Sequence, residues 1–334
     1  MRFVTIKDIA RALDLSVSTV SRALNDDNNI RQETRQKVLA TAKQMGYMKS
    51  PVAMNLKFGY TKTIGVIVPE MTTPYASLVI DGIQNVCYAN HYKVVIASSG
   101  EDAEKERQSI EIMYQFMVDG IIACRTDNRQ NHDLYQSILD RKMPLVLYDR
   151  LSPDLDAPHV GIDDETKAFF LIDHLIRKGR KRIAFIGIDP NIVFNAQKRY
   201  NGYRMALERH HITPDPDLVV WANGMSYSDG GFAIDRLLGK SIDAVFAYTD
   251  TLAIGAMNRL TSMGRRVPED IAVAGFSGTI ISSIVNPQLT TVEPPQYAIG
   301  QTAARLVLDL INGKQPEKKE VTLDAEIIYR KSTE

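Results

Sequence analysis

The sequence predicts a small all-α head over residues 1–48 and a larger α/β body built on parallel sheets. Apolar residues recur at helical spacing between residues 5 and 45. The rest of the 334-residue chain alternates short apolar runs with helical segments, which is typical of parallel strands covered by helices. Residues 1–60 carry ten Lys and Arg against five Asp and Glu, although the whole chain is neutral. A basic head on an acidic body suits a head that meets phosphates.

The first helix begins at Thr5, which is a good N-cap, and Asp8 is placed to complete a capping box and to favour the positive end of the helix dipole. One apolar face follows at helical spacing: Ile6, Ile9, Ala10 and Leu13. The chain then turns at Asp14-Leu15. We therefore expect a short amphipathic helix that ends before this turn.

A second helix follows, with Ser16 as its N-cap. Val17, Val20 and Leu24 follow roughly helical spacing, so part of this face is expected to pack on the first helix. The remaining positions are Ser16, Ser18, Thr19, Ser21 and Arg22. A third helix is predicted from Thr34 to Met45, with Gly46 placed to end it. Three short helices with one core match a helix-turn-helix unit, whose second helix enters the major groove of DNA. The alternative is an ordinary helical subdomain with solvated Ser and Thr.

Residues 49–60 predict a hinge helix. Ser50 is the expected N-cap, Pro51 the first helical residue and Gly59 the end. Because isolated helices need on the order of 12–15 residues, this helix folds only when something packs on it. The alternative is a plain linker.

Nine segments resemble the lactose/galactose repressor family (LacI/GalR) of bacterial transcription regulators. They are VTIKDIARALDLSVSTVSRALN, IRQETRQKVLATAKQMGY, VAMNL, TIGVIVP, GRKRIAFIG, RYNGYRMAL, DAVFAYTDTLAIGAM, VPEDIAVAGF and NPQLTTVEPP. The resemblance covers essentially the whole chain. It implies a repressor that binds a pseudo-palindromic operator in double-stranded DNA as a homodimer, with paired hinge helices in the minor groove. It also implies control by a small-molecule effector, a sugar or related metabolite, and the alternative is control by a partner protein.

The resemblance assigns residues to DNA. Val17 and Ser18 hold the positions that choose bases, and Arg22 is a further base-contacting position that can pair with guanine. Leu56 matches a leucine that wedges into the central base step. The full predicted set is Ser16, Val17, Ser18, Thr19, Ser21, Arg22, Asn25, Thr34, Tyr47, Ala53 and Leu56. For each polar member the alternative is a helix cap or a solvated side chain. The hinge departs from the family pattern because Pro51 is shifted by two positions.

The body contains seven short apolar runs that we interpret as strands: 64–68, 94–97, 121–123, 145–148, 183–186, 244–247 and 271–274. The resemblance implies the architecture of periplasmic binding proteins, with two Rossmann-like lobes around a cleft and parallel sheets. The chain is expected to cross between lobes near residues 161, 290 and 323. The N-lobe then comprises about 61–161 and 291–323, and the C-lobe about 162–290 and 324–334.

Ligands of such sheets bind at the carboxyl ends of the strands. Tyr75 follows the first strand of the body and could stack on a ring. Arg199 and Asp250 match family positions that hold effector hydroxyls or carboxylates, and Asn195 and Asp163 are weaker candidates. Each has an alternative interpretation as a helix cap or an ion pair. Ser277 and Met225 replace an acid and an aromatic residue of the family pattern, which changes the polyol that the cleft could hold.

The sequence argues against catalysis, metal binding and a cofactor. It lacks nucleotide-binding and zinc-protease motifs, and residues 275–279 approach a nucleophile elbow but lack its last glycine. The six histidines show no metal spacing, and Cys87 and Cys124 are isolated thiols that fit a reducing compartment. No signal peptide and no long apolar run are present. We therefore expect a cytoplasmic, nucleoid-associated protein without membrane contact; an enzyme or a carbohydrate-binding protein without DNA function is the remote alternative.

Overall fold

The computed structural model describes residues 4–48, 59–127, 130–150 and 152–334. The chain divides between Thr61 and Lys62 into two compact units. Residues 49–58 of the predicted hinge helix, with Pro51, Ala53 and Leu56, lie outside the described residues. Among the described helices, none combines the length and the apolar character needed to cross a membrane.

The head contains three helices: α1 (Ile6–Leu13), α2 (Val17–Leu24) and α3 (Gln32–Gln44). They share one buried core, formed by Ile9, Ala10, Val20, Ala23, Val38 and Ala42. The helix α3 begins two residues earlier than predicted because Arg31 occupies its N-cap position. Gly46 follows the helix with φ +68°, the left-handed conformation that glycine adopts most easily.

Local hydrogen bonds fix the beginnings of α1 and α2. The carboxylate of Asp8 accepts from the backbone N–H of Thr5 at 2.9 Å and from its hydroxyl at 2.7 Å. The hydroxyl of Ser16 accepts from the backbone N–H of Thr19 at 3.1 Å. Asp14 sits between the helices with φ 51°. The predicted capping residues therefore fix where α1 and α2 begin.

The body alternates strands and helices. Its strands are β1 (Thr63–Val68), β2 (Lys93–Ser98), β3 (Gly120–Ala123), β4 (Leu145–Tyr148), β5 (His159–Ile162), β6 (Ile183–Gly187), β7 (Val219–Trp221), β8 (Ala244–Ala247), β9 (Ala272–Phe276), β10 (Thr290–Glu293), β11 (Glu320–Leu323) and β12 (Glu326–Ile328). Its α-helices are α4 (Pro74–Ala89), α5 (Ala103–Gln115), α6 (His132–Asp140), α7 (Asp164–Arg177), α8 (Phe194–Arg209), α9 (Tyr227–Arg236), α10 (Asp250–Ser262), α11 (Ile280–Ile284) and α12 (Gln296–Ile311). Short 3₁₀ helices occupy Pro216–Leu218 and Lys331–Thr333.

The strands form two six-stranded sheets, in the orders β11-β5-β4-β3-β1-β2 and β12-β10-β9-β8-β6-β7. All pairs are parallel except β10 with β12. Buried apolar residues pack on both faces of each sheet, as expected for parallel sheets covered by helices. The first sheet belongs to the N-lobe and the second to the C-lobe.

The chain passes between the sheets after Ile162, Glu293 and Leu323. The second crossing comes about three residues later than predicted, because β10 pairs with β9 and so belongs to the C-lobe. After this crossing α12 returns to the N-lobe and packs very closely on α4. A Cβ atom on Gly82 would lie 2.2 Å from the carbonyl oxygen of Tyr297. Only glycine fits there without displacing the backbone of the partner helix.

Candidate nucleic-acid interface and ligand cleft

The helix α2 presents a small polar and apolar surface to solvent. Val17 is 45% exposed, and Ser18 is also exposed. The hydroxyl of Ser16 lies 2.8 Å from those of both Ser18 and Thr19. These hydroxyls satisfy one another at the N-terminal end of α2, where N–H groups and the helix dipole favour a phosphate.

Arg22 projects from the same helix. Its side chain is 63% exposed, and its Nε atom lies 4.0 Å from Oδ2 of Asp27. A contact of this length between exposed groups holds an arginine weakly. The guanidinium can therefore leave Asp27 and meet a base edge or a phosphate.

The other predicted DNA-contacting residues that the structure describes are less exposed. The amide of Asn25 donates to the carbonyl oxygen of Ser21 at 2.6 Å, so it closes the end of α2. Thr34 is half-buried in the first turn of α3. Tyr47 packs against the head core, and this partial burial raises the pKa of its hydroxyl. Ala53 and Leu56 lie outside the described residues.

A cleft of about 690 Å³ lies between the two lobes of the body. Its walls include loops that follow strands β1, β2, β3 and β4 in the N-lobe and β6, β7, β8 and β9 in the C-lobe. This is the carboxyl edge of both sheets, where ligands of open α/β folds bind. Of the predicted effector-binding residues, Tyr75, Asn195 and Arg199 line this cleft.

Arg199 is held rigidly at the cleft. Its Nε donates to Oδ1 of Asp164 at 2.7 Å, and its Nη1 donates to the carbonyl oxygen of Tyr248 at 2.7 Å. The guanidinium also lies 3.8 Å from the ring centre of Phe276, within the range of a cation–π contact. Burial raises the pKa of Asp164 to about 6, although the charge of Arg199 opposes the rise.

Tyr75 and Asn195 contribute polar atoms to the cleft from opposite lobes. Asn195 is buried, and its Oδ1 accepts from the hydroxyl of Tyr248 at 2.8 Å. The hydroxyl of Tyr75 is buried and has no hydrogen-bond partner within the described ranges. Burial, together with the nearby carboxylate of Asp149, raises the pKa of Tyr75 well above its usual range. A neutral, unpartnered hydroxyl at a cleft is a candidate ligand contact.

The structure gives Asp250 and Asp163 different roles from those expected. Asp250 is 0% exposed, and its carboxylate accepts from the N–H and hydroxyl of Thr279 at 2.8 and 3.0 Å and from the hydroxyl of Thr291 at 2.5 Å. These hydrogen bonds join the start of α10 to Thr279 and to Thr291 on β10. Asp163 caps α7 by accepting from the N–H of Thr166 at 3.0 Å. Neither residue lines the cleft.

Two further charged residues, which sequence reasoning did not single out, line the N-lobe side. Arg150 is buried and pairs with both carboxylate oxygens of Glu101, at 2.8 and 2.5 Å. Asp149 has φ 62°, a conformation that is uncommon for non-glycine residues and that concentrates at functional sites. Both directly follow β4, so the rule that ligands bind at strand ends could have identified them. Ser277 and Met225 also line the cleft.

No group of three or more His, Cys, Asp or Glu side chains in the described part of the chain could hold a metal ion. The residues that line the cleft can contact a ligand through hydrogen bonds, charges and apolar side chains. This arrangement suits the binding of a small molecule.

Comparison with known proteins identifies both units. Residues 5–50 match the model of bacterial regulatory proteins of the lacI family, and residues 172–333 match that of a periplasmic binding protein-like domain. The transcriptional regulator RegA of Clostridium saccharobutylicum is 33% identical over 331 residues, which cover 98% of this chain and 99% of RegA.

Two solved structures are similar over nearly the whole chain. The lac repressor dimer bound to operator and the anti-inducer ONPF has a TM-score of 0.84 and 25% identity, covering 99% of each chain. A complex of the transcriptional regulator CelR with cellobiose has a TM-score of 0.74 and 26% identity, covering 98% of this chain and 99% of CelR. These relatives are regulators and not enzymes. The chain belongs to the LacI family of DNA-binding bacterial transcriptional regulators.

Proposed function

We propose that the protein is a repressor that binds a pseudo-palindromic operator as a homodimer, and that a small metabolite in the cleft, a sugar or related compound, controls its affinity for DNA. The observation that carries this proposal is the cleft at the carboxyl edges of both sheets. It combines a fixed guanidinium, a buried amide and an unpartnered hydroxyl, from Arg199, Asn195 and Tyr75.

The head supports the DNA-binding part of the proposal. Val17, Ser18 and Arg22 are exposed on α2, and the hydroxyl of Ser16 fixes where that helix begins. Small outward side chains let a helix approach base edges closely, and arginine can then read guanine. The related lac repressor binds its operator as a dimer. We infer the same dimeric assembly for this chain.

Cellobiose, the ligand of the related CelR, supports a carbohydrate effector. A ligand shifts an equilibrium only by its different affinities for the two states. A change of about 100-fold in operator affinity needs about 2.7 kcal/mol of coupling between the cleft and the head. An inducer weakens operator binding, whereas a corepressor strengthens it.

A thermal-shift screen of sugars, sugar acids and nucleobases tests for an effector. A ligand at 100 times its Kd adds about 2.7 kcal/mol to the stability of the body. Compounds that raise the unfolding temperature are then added to an operator-binding assay, which shows whether they act as inducer or corepressor. Sedimentation of the free protein and of its operator complex tests the homodimer.

Cleft variants decide whether the effect arises at this site. We expect Tyr75→Phe and Asn195→Ala to weaken the effect of the compound at least tenfold without changing operator affinity in its absence. Gln197→Ala is the matched control, because Gln197 bonds to Asn201 on the same helix as Asn195 and does not line the cleft. If regulation survives both cleft changes undiminished, the cleft is not the effector site, and control by a partner protein is the better explanation.

A further inference from the structure

The two walls of the cleft differ in their chemistry. Among the described lining residues, every isoleucine, valine and methionine comes from the C-lobe: Ile188, Ile192, Val193, Met225 and Ile281. Four of the five lining carboxylates come from the N-lobe: Glu70, Glu101, Asp127 and Asp149. The fifth, Asp189, belongs to the C-lobe. A ligand that fills the cleft therefore meets the larger aliphatic side chains on the C-lobe side and most of the carboxylates on the N-lobe side, which also carries Pro74, Tyr75 and Tyr148.

The two lining arginines are already neutralised by the protein. Arg150 forms a bidentate pair with Glu101, at 2.8 and 2.5 Å. Arg199 bonds to Asp164 at 2.7 Å. Counting the described lining residues, five carboxylates against two guanidiniums leave a net charge of −3. An anionic ligand would meet no unpaired cation among them, and it would be repelled by the remaining carboxylates.

Helix ends do not offset this charge. The helices α4, α9 and α10 begin at the cleft, and their N-terminal N–H groups could receive an anion. Their caps are supplied by the protein, since Thr73, Ser226 and Thr249 accept hydrogen bonds from the first turns of these helices. The helix α8 also begins at the cleft, and its N-cap residue Val193 supplies no side-chain cap. Helix dipoles also contribute only about half a charge each, whereas a carboxylate carries a full one.

Asp149 is a lining carboxylate that no cation of the described residues meets in a salt bridge. It lies at the end of β4, and the thiol of Cys124 lies 3.9 Å from its Oδ2. The hydroxyl of Tyr75 lies nearby, and besides burial the negative charge of Asp149 contributes to the raised pKa of that hydroxyl. A partly buried carboxylate without a salt bridge gains from a ligand that carries positive charge.

We propose that the cleft takes an amphiphilic cation: a small molecule whose protonated amine meets Asp149 and whose aromatic or aliphatic part packs on Ile192 and Met225. This inference deepens the proposed function, since it rests on the cleft being the effector site. Among the sugars and related metabolites of that proposal, it favours a related compound with an amine and an apolar face over a neutral sugar, and it excludes sugar acids and sugar phosphates.

Three probes of nearly equal shape test the inference: benzylamine, benzyl alcohol and benzoate. They are titrated into the full-length protein labelled at isoleucine and methionine methyl groups, and NMR shifts of Ile192 and Met225 report binding. We expect benzylamine at pH 7.5 to bind at least tenfold more tightly than benzoate, which is about 1.4 kcal/mol, with benzyl alcohol between them. Asp149→Asn is expected to reduce the tenfold ratio to less than threefold. Met225→Ser is expected to weaken all three probes.

Asp140→Asn is the control for the charge change, because Asp140 lies on α6 of the same lobe and does not line the cleft. Equal or tighter binding of benzoate by the unchanged protein would overturn the inference. Methyl signals that stay unshifted with all three probes would also overturn the inference if the screen of sugars and nucleobases yields a compound that alters operator binding. In that case the proposed function would stand without the preference for cations. If benzylamine binds as expected but no cleft ligand changes operator affinity, the preference for cations stands and the proposed function fails.

Discussion

Replacing Arg199 by alanine would leave a buried carboxylate without its cation. The side chains of Arg199 and Asp164 are 7% and 8% exposed and lie 2.7 Å apart. The same change leaves the carbonyl oxygen of Tyr248 without the donor that now lies at 2.7 Å. Removing one partner of a buried ion pair costs about 3–5 kcal/mol. We therefore expect Arg199→Ala to lower the free energy of unfolding of the body by about 3–5 kcal/mol at pH 7.5.

The loss should depend on pH in a definite direction. Burial raises the pKa of Asp164 to about 6 even beside Arg199, and removing the guanidinium raises this pKa further. An acid whose folded pKa lies above its unfolded value binds more protons in the folded state, so folding stability falls as pH rises through that range. In the variant Asp164 is protonated at pH 5 and no unpaired charge is buried. The loss is therefore smaller at pH 5 than at pH 7.5.

Urea denaturation followed by circular dichroism at both pH values measures these losses. Arg204→Ala is the matched control, since Arg204 lies on the same helix and its pair with Glu208 is about half exposed on each side. That change should cost at most about 0.5 kcal/mol. The double variant Arg199→Met with Asp164→Asn should recover much of the loss because it buries no charge. A loss below about 1 kcal/mol, or an equal loss at both pH values, would refute this account of the pair.

Three other predictions concern the head and the helix packing. Ser16→Ala removes the cap of α2 and should cost the head about 1 kcal/mol in thermal unfolding; no change would show that the cap is redundant. Arg22→Ala should relax operator specificity at one base pair per half-site by about 1–3 kcal/mol, whereas a uniform loss over all sequences would indicate a phosphate contact. Gly82→Ala places a methyl group 2.2 Å from the carbonyl oxygen of Tyr297 and should lower the free energy of unfolding by about 3 kcal/mol or more. In the control Gly231→Ala the new methyl group has no neighbour nearer than 3.8 Å, so this change should be neutral or slightly stabilising. Equal effects would contradict the close packing of α4 and α12.

Most of the fold could be predicted because its signals are local. Capping residues such as Thr5 and Ser16, the helical spacing of apolar residues and the short apolar runs all act within a few residues. The end of the C-lobe sheet was less predictable. The strand β10 belongs to that lobe because it pairs with β9, which ends about 14 residues earlier in the chain. The sequence of β10 alone does not specify that pairing.

The site could be predicted only in part, for the same reason. Tyr75, Asn195 and Arg199 were found because they follow strand ends or match family positions. Asp250 follows β8 as well, but its carboxylate is occupied by Thr279 and Thr291, which are 29 and 41 residues away in the chain. Burial of a polar group depends on such distant partners, so residue type and strand position do not separate a ligand contact from a structural acid.

Two residues that directly follow crossings between the lobes contact residues of the cleft. Asp164 begins α7 directly after the first crossing and holds Arg199 at the cleft. Gln296 begins α12 directly after the second crossing, and its amide donates to the carbonyl oxygen of the cleft residue Ser277 at 2.9 Å. Because α7 and α8 both pack on the C-lobe sheet, Asp164 and Arg199 move together, whereas Gln296 and Ser277 belong to different lobes. A rotation of one lobe against the other therefore changes the surroundings of Ser277. Because coupling between two events is reciprocal, a ligand that binds Ser277 differently in the two arrangements must shift the angle between the lobes.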